Sequence, residues 1–464
     1  MNYNNDFKQK ELRFHSIKNY ALRADFNGGG LSSDLGPILL QGVDRQIGLT
    51  DRLAEALIDT RHQSYVKHTH KALLAQRIYQ IGCGYEDGND ANTLCNDPVF
   101  RISTDHAPFD PKSALASGPT ISRFERKVTR REIYRISMAL VLQFIFSYAK
   151  PPTALILDLD HSEDKTHGQQ PLAFYNHYYG SYCYLPLVIF EGNSGALVAA
   201  VLRPGKRPTG AENAMILKRV LHLIRKHFPD TKILVRGDGH FSNPEMMKMI
   251  EVMPNTDFIF GVTGNARLQK LAEPTKLRAL ASWVDVQTQA IVPDAVREYA
   301  EFNYAADTWA KEWRVLLKAE VMALGENPRF LVTSLKGDDP KLLYEDLYCP
   351  RGQSENFIKY LKTDLASDRT SCTTFLANCM RLLLHAAAYI LHQQLRTQGL
   401  QNTSMEQAQP STVITKLFKI AVQVREHKKK ILLHLPSSCP VKDLLHTLTE
   451  RLFISKPARF VNSP

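Results

Sequence analysis

The sequence predicts an α/β protein in which an all-α N-terminal region precedes a mixed β-sheet, itself interrupted by a second β-rich segment. Three observations lead there. Apolar residues recur at helical spacing from Pro37 to about Ala149. After Pro151-Pro152 the period changes, and short apolar runs bounded by turn residues alternate with helical stretches. Between residues 263 and 340 that alternation stops, and strand-like runs such as WRVLLKAEVMAL and RFLVTSL follow one another. A chain of 464 residues can bury more than one core, at about 150 residues per domain.

Composition narrows the function classes. Hydrophobic content of 44% with 23% charge is that of an ordinary globular protein, and a net charge of +11 favours a polyanionic partner. The seven cysteines, Cys83, Cys95, Cys183, Cys349, Cys372, Cys379 and Cys439, contain no CxxC pair, which argues against a zinc site and a disulfide framework. The opening MNYNNDFKQKELRF is polar and charged, unlike a secretory signal. The most apolar helical stretch, residues 375–391, carries Asn378, Arg381 and His385, so it reads as a buried helix and no membrane span is expected.

In chain order, residues 1–35 are polar and end in Gly28-Gly29-Gly30, the composition of a mobile arm. Residues 36–150 follow as an α-helical domain. Inside it, GYEDGNDANTLCNDPVF lacks the Gly and terminal Glu spacing of a calcium loop, so its acids mark a turn-rich connector. Residues 113–131 read as a short helix, a Ser117-Gly118-Pro119 break and a second helix bearing Ser122, Arg123, Arg126 and Lys127. A DNA-reading helix has this form, and so does a solvated basic face.

Residues 153–160, TALILDLD, alternate so that Ile156, Asp158 and Asp160 share one face of a strand and Leu155, Leu157 and Leu159 the other. Two charges at the end of a buried strand need a partner. Residues 182–191 and 196–202 are two strands of a hairpin around Gly192-Asn193-Ser194-Gly195. A helix over 212–227, a strand over 232–236 ending in Gly237-Asp238-Gly239, a helix over 244–253 and a strand over 257–262 complete the first part of the core, residues 151–262. Three antiparallel strands, then helix, strand, helix and strand, is the order of the ribonuclease-H-like fold. Its helical crossovers require parallel strands, and such open sheets bind ligands beyond the carboxyl ends of their strands, where Asp160 and Asp238 fall. Residues 263–340 form the insertion, 341–398 the second part of the core, and 399–464 a C-terminal helical tail whose HKKK run packs as helix or contacts DNA.

Residues 348–362, YCPRGQSENFIKYLK, read as a helix starting near Pro350. At helical spacing Tyr348, Arg351, Glu355, Lys359 and Lys362 share a sector about 60–80° wide, beside an apolar stripe of Ile358, Leu361 and Leu365. Taken alone, this is equally a solvated helix face held by i,i+4 ion pairs worth about 0.2–0.5 kcal/mol each. The spacing Y-x2-R-x3-E-x6-K, filled by Tyr348, Arg351, Glu355 and Lys362, resembles the signature around the third carboxylate of DDE transposases from bacterial insertion sequences. LDLDHSEDKTHGQQ and VRGDGHF extend the resemblance over most of the chain, and Gly168-Gln169 matches a branch whose D-x-D motif is followed by Gly-Gln.

The resemblance implies a DNA transposase that binds the ends of an insertion sequence and performs metal-dependent strand cleavage and transfer. Asp160, Asp238 and Glu355 would be the catalytic carboxylates holding Mg²⁺, with Mn²⁺ as substitute; Asp158 is a further candidate ligand because it shares a face with Asp160. Asp160 is favoured as the first carboxylate for its place at the strand end, although His161 stands where relatives carry a small hydroxyl residue. Tyr348, Arg351, Lys359 and Lys362 would hold phosphates of the transposon end, and Arg123 and Arg126 would serve an end-binding domain. Partners would be double-stranded DNA, as ends and as target, and a second copy of the chain on that DNA, in the cytoplasm with the nucleoid. Trp309 and Trp313 read as core residues or as wedges beside an unstacked base, and His161, His167 and His177 as loop histidines. The rival readings are another ribonuclease-H-like nuclease and a non-catalytic DNA-binding regulator.

Overall fold

The last N-terminal helix ends at Ile145, and the apolar run after Pro151 and Pro152 becomes the first strand of a nine-stranded sheet. In this computed structural model, which describes residues 11–287 and 293–454, the strands are β1 (Ala154–His161), β2 (Leu187–Glu191), β3 (Leu197–Val201), β4 (Lys232–Gly237), β5 (Thr256–Val262), β6 (Ala295–Tyr304), β7 (Trp313–Met322), β8 (Gly325–Glu326) and β9 (Arg329–Thr333). They lie in the order β6-β7-β9-β5-β4-β1-β2-β3, with β8 paired on β7. β1, β4 and β5 are parallel, while β1–β2 and β2–β3 are antiparallel. In order and direction β1 to β5 follow the sequence expectation of antiparallel strands first and parallel strands after the helical crossovers.

The two crossovers have clear local causes. Helix Gly210–His227, between β3 and β4, starts at a capping box in which Thr209 and Glu212 satisfy each other's backbone N–H groups. Helix Pro244–Glu251, between β4 and β5, starts where the Asn243 side chain accepts from Met246 N–H. Leu155, Leu157 and Leu159 of β1 are buried in one core with Leu217, Leu221 and Met246 of these helices.

Three features depart from the sequence reading. The stretch 182–191 is not one strand: Ser181–Tyr184 joins a small separate sheet, and only Leu187–Glu191 enters the main one. Pro186 lies at the break, where it has no N–H to give a ladder, and its carbonyl accepts from Ser162 N–H at 3.1 Å. The segment 263–340 contains a long helix, Ala266–Val286, and its strands extend the main sheet past β5. β9 pairs antiparallel with β5 and so covers an edge that would otherwise expose unpaired backbone groups. Trp309 and Trp313 pack partly buried against the core. The tail is not wholly helical either, since Val422–His427 and Lys430–His434 form a hairpin. Val422 and Val424 are buried and Gln423 between them is not, the period of a strand. Leu31–Ser32 pairs with that hairpin, so the end of the N-terminal arm is tied down.

Helix Phe375–Gln394 joins the halves of the molecule: Leu383, Leu384 and Leu391 share a core with Leu39, Leu40, Ile78 and Leu140 of the N-terminal helices. The stretch Phe375–Gly399 is long and apolar enough to cross a membrane, but 89% of its apolar window is buried inside the protein.

Candidate active site

β1 and β4 run parallel with Asp158 opposite Arg236 and Leu159 opposite Gly237. Side chains alternate along a strand, so residues 158 and 160 look the same way, and neighbouring strands lie about 4.8 Å apart. The first rung is an ion pair. Arg236 donates from Nε and Nη2 to the two oxygens of Asp158 at 2.6 and 2.7 Å, and from Nη1 to the Leu347 carbonyl at 2.6 Å. Burial pushes the Asp158 carboxyl up while the Arg236 bonds oppose the rise. Gly192 lies over the pair, where a Cβ would collide with Arg236. The register thus sets a buried guanidinium against both oxygens of Asp158, the further candidate ligand.

The next rung carries two acids. Asp160 is near the end of β1 and Asp238 directly follows β4. One Asp160 oxygen accepts from His161 N–H at 2.9 Å, and the other pairs with Arg351 Nη2 at 2.9 Å. Burial raises the Asp160 pKa to about 6; Arg351 opposes this, and the charges of Asp238 and Glu355 add to it. Asp238 behaves differently. Burial pushes its carboxyl up, but the His240 ring at 3.2 Å and the His240 N–H at 3.0 Å outweigh that and leave it below its ordinary value. The same bond raises the His240 imidazole. His161 stacks parallel on Phe241 at 5.0 Å, and burial, with Arg203 nearby, lowers its pKa to about 4.

Glu355, the candidate third carboxylate, rides on a longer helical segment than the sequence suggested. It begins at Pro340, where the Asp339 side chain accepts from Lys341 N–H, and runs to Asp364. Pro350 is inside it, not at its start. The chain winds as a π-helical turn over Leu343–Tyr348, a 3₁₀ turn over Cys349–Gly352, an α-helix over Gln353–Lys359 and a second π-helical turn over Tyr360–Asp364. A proline inside a helix has no N–H and crowds the carbonyl four residues back, so the winding changes there.

This segment brings Tyr348 and Arg351 to the acids. The Tyr348 hydroxyl lies 3.4 Å from the Gly237 carbonyl, and a side chain at Gly261 would crowd it. Burial raises the Tyr348 phenol, with Arg351 opposing. Arg351 thus sits on a carboxylate and not on open surface. Lys362 donates to the Glu163 carbonyl and lies near the fully buried Asp164. Glu355 and Lys359 are exposed. Arg123 and Arg126 are exposed on helix Gly118–Arg126, whose inward Glu125 pairs with the buried Arg77 at 3.1 Å.

Among the described residues no three His, Cys, Asp or Glu groups stand close enough to enclose a metal ion. The structure brings Asp160 and Asp238 side by side and sets Glu355 where its charge is felt by Asp160. Carboxylate oxygens suit a hard divalent cation, and the Asp160 carboxyl is raised first by burial, with the charges of Asp238 and Glu355 adding to it. Two residues of the site escaped the sequence reading. Arg236 was signalled as a lone charge inside an apolar strand, which requires a buried partner. His240 was signalled only by its place two residues after Asp238.

Comparison with known proteins gives a family. Residues 14–457 match the family described as Transposase DDE domain group 1. No curated protein sequence matches the chain. Among solved structures the chain is similar to one described as a cryo-EM structure of the piggyBac transposase synaptic complex with hairpin DNA, at 12% identity and a TM-score of 0.40, covering 83% of this chain and 81% of that one.

Proposed function

The chain belongs to the DDE transposase family, and from that membership we propose that it binds the ends of an insertion sequence and carries out Mg²⁺-dependent strand cleavage and strand transfer. The observation that carries the proposal is the rung of two carboxylates, Asp160 and Asp238, at the carboxyl ends of adjacent parallel strands, with Glu355 brought near by the helical segment. Bound divalent ions supply charge compensation and an activated oxygen nucleophile for phosphodiester cleavage. The chain's own residues do the rest. Asp160, Asp238 and Glu355 would hold the ions, and His240, bonded to Asp238, favours its ionised form. Arg351 balances Asp160, and the Tyr348 phenol lies beside the Gly237 carbonyl at the end of β4. Lys359 is free to meet a phosphate, whereas Lys362 reaches the site as a tether to Glu163. Arg123 and Arg126 serve the same DNA from the N-terminal helices. Two ends held together imply two copies of the chain on DNA, working in the cytoplasm with the nucleoid.

The test is cleavage of an end-labelled duplex carrying the element's own terminus, with Mg²⁺ or Mn²⁺. Glu355→Ala should lower cleavage by more than about 100-fold, since even outer-shell losses at metal sites cost about 10- to 100-fold. DNA binding should persist. Normal cleavage by Glu355→Ala would reject the assignment of the third carboxylate, and no cleavage by the wild-type protein would leave a DNA-binding regulator.

A further inference from the structure

Just past Asp160 the chain leaves the main sheet and builds a three-stranded one from Asp164–Lys165, Phe174–Asn176 and Ser181–Tyr184, with the last strand in the middle. The attachment is short. Glu163 is three residues beyond Asp160, and its carboxylate accepts from the Ser181 hydroxyl while its carbonyl accepts from Lys362. Whatever this small sheet carries is therefore held at the catalytic end of β1.

It carries a group of aromatic rings that the described residues leave exposed or half-exposed. Tyr175 is the cross-strand partner of Tyr182, with ring centroids 5.4 Å apart, and His177 is 5.2 Å from Tyr175. Tyr178 and Tyr179, in the turn between the strands, meet edge-on at 4.9 Å. Tyr178 is 85% exposed, Tyr182 59%, Tyr175 47% and Tyr179 38%. Tyrosine buries a large apolar ring at low entropic cost, and rings left bare in a group mark a binding surface. Burial raises the Tyr179 pKa to about 12, and the charge of Asp160 adds to the rise, so this phenol lies in the field of the first carboxylate.

Cations lie along the path from these rings to the second carboxylate. The Lys206 ammonium sits 4.5 Å from the centroid of Phe174 on the same small sheet. Arg207, the next residue, is exposed, and its charge reaches His240, the partner of Asp238. Bare π-faces beside exposed cations match a polyanion whose units have flat aromatic faces, which is a nucleic-acid strand with its bases unpaired.

We propose that the Phe174–Asn176 and Ser181–Tyr184 hairpin is a stacking platform for unpaired nucleobases, holding an opened DNA strand beside Asp160 with Lys206 and Arg207 on its phosphates. Stacking on Tyr175, Tyr178 and Tyr182 is tolerant of sequence because every base has a π-face. The inference rests on the DNA-cleaving reading of the carboxylate site and adds a subsite to it.

The experiment compares two duplexes of equal length, one fully paired and one with a single-stranded oligothymidylate tail that has 2-aminopurine at the junction. The full-length wild-type protein should bind the tailed duplex more tightly and quench the 2-aminopurine. Tyr175→Ala, Tyr178→Ala and Tyr182→Ala should each weaken binding of the tailed duplex on the order of 5- to 100-fold and restore its fluorescence. Binding of the paired duplex should be unchanged. Tyr182→Phe, which keeps the ring, should behave as wild type. Unaltered binding of the tailed duplex by all three alanine variants, or equal losses on both duplexes, would overturn the platform. So would a change in self-association with tailed binding intact, which would assign the rings to a second copy of the chain. Failure of the wild-type protein to bind either duplex would overturn the DNA reading together with this one.

Discussion

Two neighbouring rungs of β1 and β4 face the same way and are built from similar residues, yet their electrostatics are opposite. Asp158 meets Arg236 and is closed into a buried pair that also holds the Leu347 carbonyl. Asp160 lies beside Asp238, and Arg351, from another element, with His161 N–H on Asp160 and His240 on Asp238, offsets the crowding of charge. The inner rung spends its charges on structure, fastening the sheet to the helical segment that carries Tyr348 and Glu355. The outer rung, at the strand ends, sets two carboxylates beside each other, with Arg351 on one and His240 on the other. A two-residue step along a strand is enough to separate the two roles.

The largest expected effect comes from opening the inner rung. Asp158→Ala would leave Arg236 buried without its counter-charge, and unfolding in denaturant should show a loss of about 3–5 kcal/mol. A loss under about 1 kcal/mol with metal binding abolished would reverse the roles assigned to the two rungs. Asp238→Asn acts on the outer rung. Cleavage should fall by more than about 100-fold, while the melting temperature should barely move.

Asp160 sharpens the contrast through pH. Its folded-state pKa of about 6 lies above the unfolded value near 3.9, so between those values the native state binds more protons than the unfolded one. The contribution of this group to stability is therefore lost as pH rises from about 4 to 6 and stays lost above that. Metal-free Asp160→Asn should be more stable than wild type above pH 6, on the order of 1–3 kcal/mol, with the two converging near pH 4. Equal stabilities at pH 8 would show that Arg351 fully balances the carboxylate.

The smallest effects are on the lysines. Lys359→Ala should reduce the slope of log affinity against log salt by about 1 and leave stability alone. Lys362→Ala should act mainly on stability, measured by thermal unfolding, because that ammonium is tethered to the Glu163 carbonyl. Matching salt slopes for both variants would place both side chains on DNA.

Much of the core was readable because its signals are local. The alternation in residues 153–160, the Gly237-Asp238-Gly239 turn and the helix after Thr209 follow from period, turn chemistry and capping, each fixed within a few residues. The split at Pro186 and the change of winding around Pro350 were also signalled locally, by prolines whose consequences the sequence reading did not follow through. The arm, the insertion and the tail were harder. Leu31–Ser32 pairs with Val422–His427, and β9 pairs with β5, across sequence separations that no local pattern encodes.

By itself the sequence determined which residue types could do the chemistry: three acids at two strand ends and on a helix, and a Tyr-Arg-Glu-Lys spacing beside them. The tertiary structure alone decided which acid is balanced by which base. That choice depends on register, since Asp158 faces Arg236 and Asp160 falls beside Asp238 only because β1 and β4 pair as they do. It depends also on a distant segment, since the charge that steadies Asp160 comes from Arg351, 191 residues further along the chain. Electrostatic energy falls off with distance in space and not in sequence, so the division of labour between two similar aspartates could be settled only by the folded chain.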